Sequence, residues 1–284
     1  MKTWGIALGA GGILGLAHIG VLEALESHGL TPNFLAGTSA GAIVAGVWAS
    51  GKTPATLRDE ARQLLFDEHV PWLQSGEYLV LNLSSAMAVS GLLDGRWLET
   101  IIDKLTGNKK LSDIPTHLSI VSCDLISGDT VVFTNTKSYD VSYKSRRYIT
   151  NASLSVALRA SSSLPGVFAP RKFGKHELVD GGVKDMVPAY EVRRMGAQEV
   201  LAVDLGTYAD RPQKVKGILS VLTRSFSLSS RERTLKHLKK HASMTLRPEV
   251  WDIGFPTPSK IKELIDSGRN CAEENMERWL NLIS

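Results

Sequence analysis

The sequence has few cysteines and no long apolar run, and each scarcity excludes a class of protein. Only Cys123 and Cys271 occur among 284 residues, far apart in the chain. This argues against a disulfide scaffold or a zinc site of the C-x-x-C kind and is typical of a reducing cytoplasm. The longest weakly polar run, Phe34 to Ser50, is shorter than the ~20 apolar residues that span a bilayer. The N-terminus has no long apolar region, so we predict no signal peptide.

Charge is nearly balanced over the whole chain but uneven along it. The net charge is only +4, yet ten basic residues and one acid, Glu232, fall between positions 211 and 247. The basic residues are Arg211, Lys214, Lys216, Arg224, Arg231, Arg233, Lys236, Lys239, Lys240 and Arg247. They form either a solvated helix face or a surface that docks on anionic lipid, where each contributes roughly 1 kcal/mol. No helix-turn-helix, zinc-finger or aromatic RNA-binding motif accompanies them, so we expect no nucleic-acid partner.

The composition is that of a globular protein, with 43% hydrophobic and 22% charged residues. Predicted strands and helices alternate: WGIALG and PNFLAGTS are apolar enough for strands, and a helical pattern follows each. Further helices are predicted at about 213–241 and 258–283. The alternation predicts a single α/β domain over residues 1–284, a three-layer α/β/α sandwich with a mainly parallel central sheet.

The stretch GTSAG, residues 37–41, places a serine between two glycines where a predicted strand meets a predicted helix. That arrangement fits the G-x-S-x-G nucleophile elbow, in which a tight turn projects the serine hydroxyl. Gly37 and Gly41 keep Cβ atoms out of such a bend. Ser39 is therefore a candidate nucleophile, and an ordinary helix N-cap is the alternative interpretation.

A second glycine-rich loop, GAGGILG at residues 9–15, follows the first predicted strand. Acyl transfer needs backbone N–H groups aimed at a developing oxyanion, and a glycine run at a helix N-terminus presents several. The competing interpretation is dinucleotide binding, which requires an acidic residue at the end of the second strand. That strand ends instead in Gly37, Thr38 and Ser39, which favours the oxyanion loop.

A nucleophilic serine needs a base, and the histidines offer no clear candidate. His237 and His241 belong to a lysine-rich helical stretch where a solvated histidine is expected. His18 follows the glycine loop by about one helical turn, where packing or a local hydrogen bond is expected, and His176 precedes a short predicted strand. Asp180, in the stretch VDGG, is either a turn former or a base placed at the end of a strand. An aspartate that hydrogen-bonds the serine directly can accept its proton without a histidine.

Together these motifs resemble those of the patatin-like phospholipases, serine acyl hydrolases with a Ser-Asp dyad. The glycine-rich loop, G-x-S-x-G and D-G-[GA] occur in the family's order and rough spacing, and the stretch ALRASSSLPGVFAP is also similar. The match covers about residues 3–206, leaving a helical C-terminal elaboration at about 213–284. The resemblance implies Ser39 as nucleophile and Asp180 as base. It also implies a D-G-G motif at Gly181 and Gly182 and an oxyanion hole built by the N–H groups of Gly11, Gly12 and Ile13.

The resemblance implies two-step hydrolysis of a phospholipid or other fatty-acyl ester, and the scheme requires no metal or other cofactor. The cysteine usage predicts a cytoplasmic protein, peripheral to the inner face of the membrane if the basic segment docks there. The family loop often reads G-G-G-x-R-G, whereas Ala10 and Leu14 replace the first glycine and the arginine here. The apolar stretch from Trp72 to Leu93 is a candidate wall or lid for the acyl groove, or a plain core segment.

Two other functional classes share parts of this pattern. An acyltransferase related to malonyl-transfer enzymes has a serine elbow but uses a histidine base. A catalytically silent lipid- or acyl-binding protein needs neither Ser39 nor Asp180 exposed. Labelling by a fluorophosphonate distinguishes an active enzyme from a catalytically silent binding protein. Assays with water and with thiol or alcohol as the acyl acceptor distinguish a hydrolase from a transferase.

Overall fold

The computed structural model describes residues 1–66, 93–136, 145–206, 210, 215, 218–250 and 257–284. The strands in these residues are β1 (Trp4–Leu8), β2 (Phe34–Thr38), β3 (His117–Asp124), β4 (Thr130–Thr134), β5 (Arg146–Ile149), β6 (Arg171–Phe173), β7 (His176–Asp180), β8 (Glu199–Val203) and β9 (Met244–Leu246). The helices are α1 (Leu16–Ser27), α2 (Ala40–Ala49), α3 (Pro54–Phe66), α4 (Arg96–Thr106), α5 (Leu154–Ser161), α6 (Ala189–Met195), α7 (Ile218–His241), α8 (Pro258–Glu274) and α9 (Met276–Ile283).

The nine described strands form one mixed, mostly parallel sheet. β1 lies between β2 and β8 with parallel pairing, and the pairs β2–β3, β4–β5 and β8–β9 are also parallel. The pairs β3–β4, β3–β7 and β6–β7 are antiparallel. The carboxyl ends of β1, β2, β3 and β8 therefore share one edge of the sheet, which we call the carboxyl edge.

The strand side chains alternate between two apolar layers. In β1, Ile6 and Leu8 belong to a large buried cluster that also includes residues of α1, α2 and α8, whereas Ala7 belongs to a second cluster with residues of α6 and α7. Strands buried on both faces have continuous apolar runs, which is why WGIAL is almost wholly apolar. Helices on both faces confirm the predicted α/β sandwich with a mostly parallel sheet.

The C-terminal helices lie directly against the N-terminal part of the chain. A Cβ atom at Gly20 of α1 would lie 1.8 Å from the carbonyl oxygen of Ile265, and one at Gly268 of α8 would lie 1.8 Å from that of Ala17. The two helix backbones are therefore in contact, which only glycine permits at these positions. Trp279 of α9 is buried edge-on against Trp4, with ring centroids 5.3 Å apart.

The structure departs from the predicted elements in a few places. The helix predicted at 258–283 is two helices, α8 and α9, that meet at Asn275, which has non-helical φ and ψ. The short strands β5, β6 and β9 were not predicted, because three or four residues are too few to show a period. The candidate acyl-groove segment 72–93 lies outside the described residues except at Leu93. Among the described helices, none is long and apolar enough to cross a bilayer.

Candidate active site

Ser39 occupies a tight turn between β2 and α2, with φ 55° and ψ −123°. Among the described residues, the only other non-glycine residue with positive φ is Asn108. Such a conformation costs on the order of 1–3 kcal/mol and persists only where the surroundings enforce it. A Cβ at Gly37 would lie 2.5 Å from Ala42 Cα, and one at Gly41 would lie 2.2 Å from the Leu8 carbonyl oxygen. Both glycines of the motif are thus sterically required by the elbow.

The register of β3 brings Asp180 to Ser39. Thr38, the last residue of β2, is paired with Val121 of β3, and Asp180, the last residue of β7, is paired with the next residue, Ser122. β4 pairs along the other side of β3, so β2 and β7 lie on the same side. Because β7 runs antiparallel to β3, it approaches the carboxyl edge from outside and ends where β2 ends. The two strand ends therefore meet head to head.

Asp180 is a buried carboxylate with few but specific donors. Its side chain accepts a hydrogen bond from the Ser39 side chain, and its Oδ1 accepts one from the Gly182 N–H at 2.8 Å. The residue is only 3% exposed. Burial raises the pKa of Asp180 to about 6, although the hydrogen bonds from Ser39 and Gly182 oppose that rise. A base with this pKa is ionised at neutral pH yet more basic than an ordinary aspartate.

The two glycines after Asp180 let the chain turn under the strand ends. A Cβ at Gly181 would lie 2.1 Å from the Val121 carbonyl oxygen. One at Gly182 would lie 2.9 Å from Met186 Sδ and 3.1 Å from Asp180 Oδ1. Larger residues would therefore displace either β3 or the carboxylate itself.

The glycine-rich loop after β1 lies against the elbow. It forms a 3-10 turn over Gly12–Gly15, whose first hydrogen bond runs from the Leu14 N–H to the Gly11 carbonyl oxygen at 3.1 Å. The N–H groups of Gly11, Gly12 and Ile13 precede that bond and have no acceptor within the turn. Gly12 is exposed with φ 54°, and a Cβ at Gly15 would lie 2.5 Å from Ala40 Cβ. The three N–H groups thus belong to a loop in contact with the serine turn.

The two departures from the family loop fit the structure. Ala10 does not have a positive φ, so its Cβ causes no conformational strain, and its N–H donates to the Met186 carbonyl oxygen at 2.8 Å. Leu14 is buried in the large apolar cluster. The fully buried His18 donates from Nε2 to the Gly9 carbonyl oxygen at 2.8 Å, and burial lowers its pKa to about 4. A neutral histidine thus holds the base of the loop, as expected for a structural rather than a catalytic residue.

The other histidines lie elsewhere. His176 donates from Nδ1 to Asp124 at 2.8 Å, His237 accepts from the Tyr190 N–H at 3.4 Å, and the ring of His241 lies edge-on to Tyr190. Within the described part of the chain, no histidine has a hydrogen bond to Ser39. Asp180 is the titratable side chain that the structure places beside the serine.

A run of three serines at the end of α5 supports both site residues, a role that the sequence alone did not indicate. Ser161 Oγ accepts from the Ser39 N–H at 2.9 Å and donates to the Val121 carbonyl oxygen at 2.6 Å. The Ser163 carbonyl oxygen accepts from the Asp180 N–H at 2.9 Å. Arg159, 1% exposed, donates to Ser163 Oγ and to the Gly95 carbonyl oxygen. Four polar residues at and just after the end of a mostly apolar helix, Arg159, Ser161, Ser162 and Ser163, were the available signal.

The predicted basic segment is only partly free to meet a ligand. Arg231 donates to Asp204 at 2.7 Å and also to Asp210, Arg233 donates to the Val183 carbonyl oxygen, and Lys236 pairs with Glu232. Arg211, Lys214 and Lys216 lie outside the described residues. Lys239 and Lys240 are exposed at the end of α7. This end lies at the amino end of β8, because the Ser243 N–H bonds the Val200 carbonyl oxygen, so these lysines are opposite the carboxyl edge.

Comparison with known proteins finds similarity over the part of the chain that carries these motifs. The family model for patatin-like phospholipases matches residues 6–193. An uncharacterized NTE family protein of Mycobacterium tuberculosis is 26% identical over an alignment of 308 positions, gaps included, that covers 99% of this chain and 48% of that protein. Lysophospholipase NTE1 of Debaryomyces hansenii is 27% identical over an alignment of 302 positions, gaps included, that covers 98% of this chain and 18% of that protein. The chain therefore spans about half the length of the mycobacterial relative and a smaller share of the lysophospholipase.

The fold also has a solved counterpart. The crystal structure of VipD from Legionella pneumophila matches with a TM-score of 0.54 over 98% of this chain and 67% of that one. The sequence identity is 15%, so this likeness concerns the fold alone.

Proposed function

The chain belongs to the patatin-like phospholipase family, and on that premise we propose that it is a lipid acyl hydrolase that cleaves carboxylic esters through a Ser39–Asp180 dyad. The observation that carries the proposal is the strand register on β3, which sets Thr38 and Asp180 opposite consecutive residues. The hydrogen bond from the Ser39 side chain to Asp180 gives the serine proton an acceptor. The phospholipase and lysophospholipase names of the family and of one relative favour a lipid ester as substrate.

In the first step the Ser39 hydroxyl attacks the ester carbonyl carbon while its proton passes to Asp180. The tetrahedral intermediate then expels the alcohol, which takes the proton, and an acyl-enzyme remains. In the second step a water molecule gives its proton to Asp180 and attacks the acyl-enzyme. Collapse of the second intermediate releases the fatty acid and returns the proton to Ser39.

The negative charge on the carbonyl oxygen needs donors that are already in place. The N–H groups of Gly11, Gly12 and Ile13 are suited to that role, because they have no acceptor within their own turn and the loop contacts the elbow. Removing one such donor in a serine hydrolase costs about 2.7–4 kcal/mol. The N-terminus of α2 adds a favourable dipole at the serine.

The direct experiment compares wild type with Ser39→Ala and Asp180→Asn on a short-chain soluble ester. Both substitutions are expected to abolish turnover, and Ser39→Ala should also abolish labelling by a fluorophosphonate. Circular dichroism serves as the control for the fold. Near-normal turnover by Asp180→Asn would exclude the dyad, and absence of labelling in the wild type would favour a silent binding protein. Acyl transfer to added alcohol or thiol at the expense of water would favour a transferase.

A further inference from the structure

The turn between β3 and β4 presents two adjacent apolar side chains to solvent. Leu125 is 54% exposed and Ile126 is 67% exposed. The other large apolar side chains exposed in the described part of the chain stand singly in the sequence. Isolated exposed apolar residues are ordinary, but an adjacent pair at the tip of a turn is a feature of interaction sites.

This tip, Leu125 and Ile126, is held by the buried carboxylate of Asp124. Its Oδ1 accepts from the Ile126 and Glu177 N–H groups, both at 3.2 Å. Its Oδ2 accepts from Ser127 Oγ at 2.9 Å and from His176 Nδ1 at 2.8 Å. Four donors on one carboxylate fix the backbone on both sides of the apolar pair. Leu125 and Ile126 therefore cannot fold back against the protein and become buried.

The tip projects from the carboxyl edge, beyond the serine–aspartate pair. Asp180 is opposite Ser122 of β3, and the tip follows three to four residues later. β3 ends at Asp124, two residues beyond Ser122, so at ~3.3 Å per residue the tip begins at least roughly 7 Å outward along the strand direction. The β6–β7 turn projects beside it, since the Leu125 N–H bonds the Glu177 carbonyl oxygen at 2.9 Å.

The surroundings of the tip are predominantly basic. Arg147, Lys172, Lys175 and Lys184 are exposed around it. Three acids accompany them: Asp129 pairs with Arg147 at 2.9 Å, Glu177 with Lys172 at 3.9 Å, and the buried Asp124 with His176 at 2.8 Å. A net positive rim around a protruding apolar pair is complementary to an anionic lipid surface, where cations meet headgroups and apolar side chains reach the acyl chains.

We propose that the Leu125–Ile126 tip is the anchor by which the protein docks on anionic bilayers, with the apolar pair below the headgroups and the basic rim against them. The proposal rests on the proposed lipid hydrolase function. It differs from docking through Lys236, Lys239 and Lys240, because the last two lie toward the opposite edge of the sheet. A bilayer at the tip faces the carboxyl edge, where an ester can reach Ser39 by moving along the strand direction.

The test is co-sedimentation with vesicles of phosphatidylcholine and phosphatidylglycerol at about three to one. It uses Ser39→Ala as the background, so binding is measured without hydrolysis. Leu125→Ser with Ile126→Ser is the test variant. Leu228→Ser with Leu235→Ser is the matched control, because these α7 leucines are 51% and 38% exposed. We expect about tenfold weaker vesicle binding for the tip variant and less than about twofold for the control.

With Ser39 intact, the tip variant should also hydrolyse a soluble short-chain ester as well as wild type and lose activity only on vesicles. Equal vesicle binding by the tip variant and its parent would overturn the anchor. An equal loss of vesicle binding in the α7 control would also overturn it. The same holds if only the triple variant Lys236→Gln, Lys239→Gln and Lys240→Gln loses vesicle binding. Lack of soluble-ester hydrolysis in wild type would count against the proposed function, whereas the vesicle-binding result would stand separately.

Discussion

At the scale of single residues, Asp180 as the proposed base must meet two requirements that oppose each other. A base for a serine hydroxyl should have a raised pKa, but it must remain ionised at the working pH. Burial raises the pKa of Asp180 to about 6, and the hydrogen bonds from Ser39 and Gly182 limit that rise. The carboxylate is therefore ionised above about pH 6, and it is more basic than a solvated aspartate, whose pKa is 3.8.

The proposed esterase activity should therefore fall in acid as Asp180 becomes protonated. On a soluble ester without titratable groups, kcat/KM should rise with pH to a plateau, with an apparent pKa of about 6. Below that pKa it should fall about tenfold per pH unit, because only the ionised form accepts the serine proton. A pH-rate profile with its acid limb near pH 4 would assign the limb to an ordinary carboxylate instead.

The same ionisation should be visible in stability. The folded pKa of about 6 exceeds the reference value of 3.8, so the folded state binds the proton more tightly than the unfolded state. The resulting stabilisation is present below about pH 4 and is lost as pH rises through about 6. Asp180→Asn should raise the free energy of unfolding by up to about 3 kcal/mol at pH 8 and change it little near pH 4. Urea denaturation at the two pH values measures this.

At the scale of elements, the loops after β1 and β2 both need glycines, but for different reasons. At Gly37 and Gly41 a side chain would collide with backbone atoms. At Gly12 a Cβ atom would have open space within 4 Å among the described residues, and the requirement is instead φ 54°. The loop therefore depends on backbone conformation at Gly12 rather than on space.

Substitutions at Gly12 should follow tolerance of positive φ rather than size. Gly12→Val should lower kcat by about a hundredfold or more, because a β-branched residue moves the neighbouring N–H donors. Gly12→Asn, of similar volume, tolerates positive φ and should retain activity within about tenfold of wild type. Steady-state kinetics on a soluble ester compares them. Equal kcat for Val and wild type would place the oxyanion hole elsewhere.

At the scale of the whole molecule, the helices after residue 257 complete the core that the motif-bearing part begins. α8 crosses α1 with backbone contacts at Gly20 and Gly268, and the Lys2 N–H donates to the Ile283 carbonyl oxygen at 2.7 Å. α1 begins directly after the glycine-rich loop. We therefore expect residues 1–284 to unfold as one cooperative unit, as the single-domain prediction requires.

A substitution on α8 tests whether the chain unfolds as one cooperative unit. Gly268→Leu should destabilise the protein by about 3 kcal/mol or more, since a side chain there displaces the α1 backbone. Asn270→Leu, an exposed site on the same helix, should change the free energy of unfolding by less than about 0.5 kcal/mol. Thermal denaturation followed by both circular dichroism and loss of esterase activity should show one transition. Two transitions would separate the C-terminal helices as an independent unit.

The sequence by itself determined the family, the fold class and the positions of the elbow, the glycine loop and the aspartate. These features depend on local rules: glycine where φ is positive or space is absent, apolar runs for strands buried on both faces, and helical spacing between them. The family model over residues 6–193 and the mostly parallel sheet agree with those predictions.

Only the tertiary structure decided how these pieces meet. Asp180 follows Ser39 by more than a hundred residues, and no local pattern states that β7 pairs with the same side of β3 as β2. The pKa of the carboxylate depends on burial by distant residues, and the support from Ser161 and Ser163 depends on where α5 ends against the sheet. Whether Leu125 and Ile126 are exposed likewise depends on which other parts of the chain pack against them. Long-range pairing and burial are properties of the assembled chain, so single-residue patterns do not encode them.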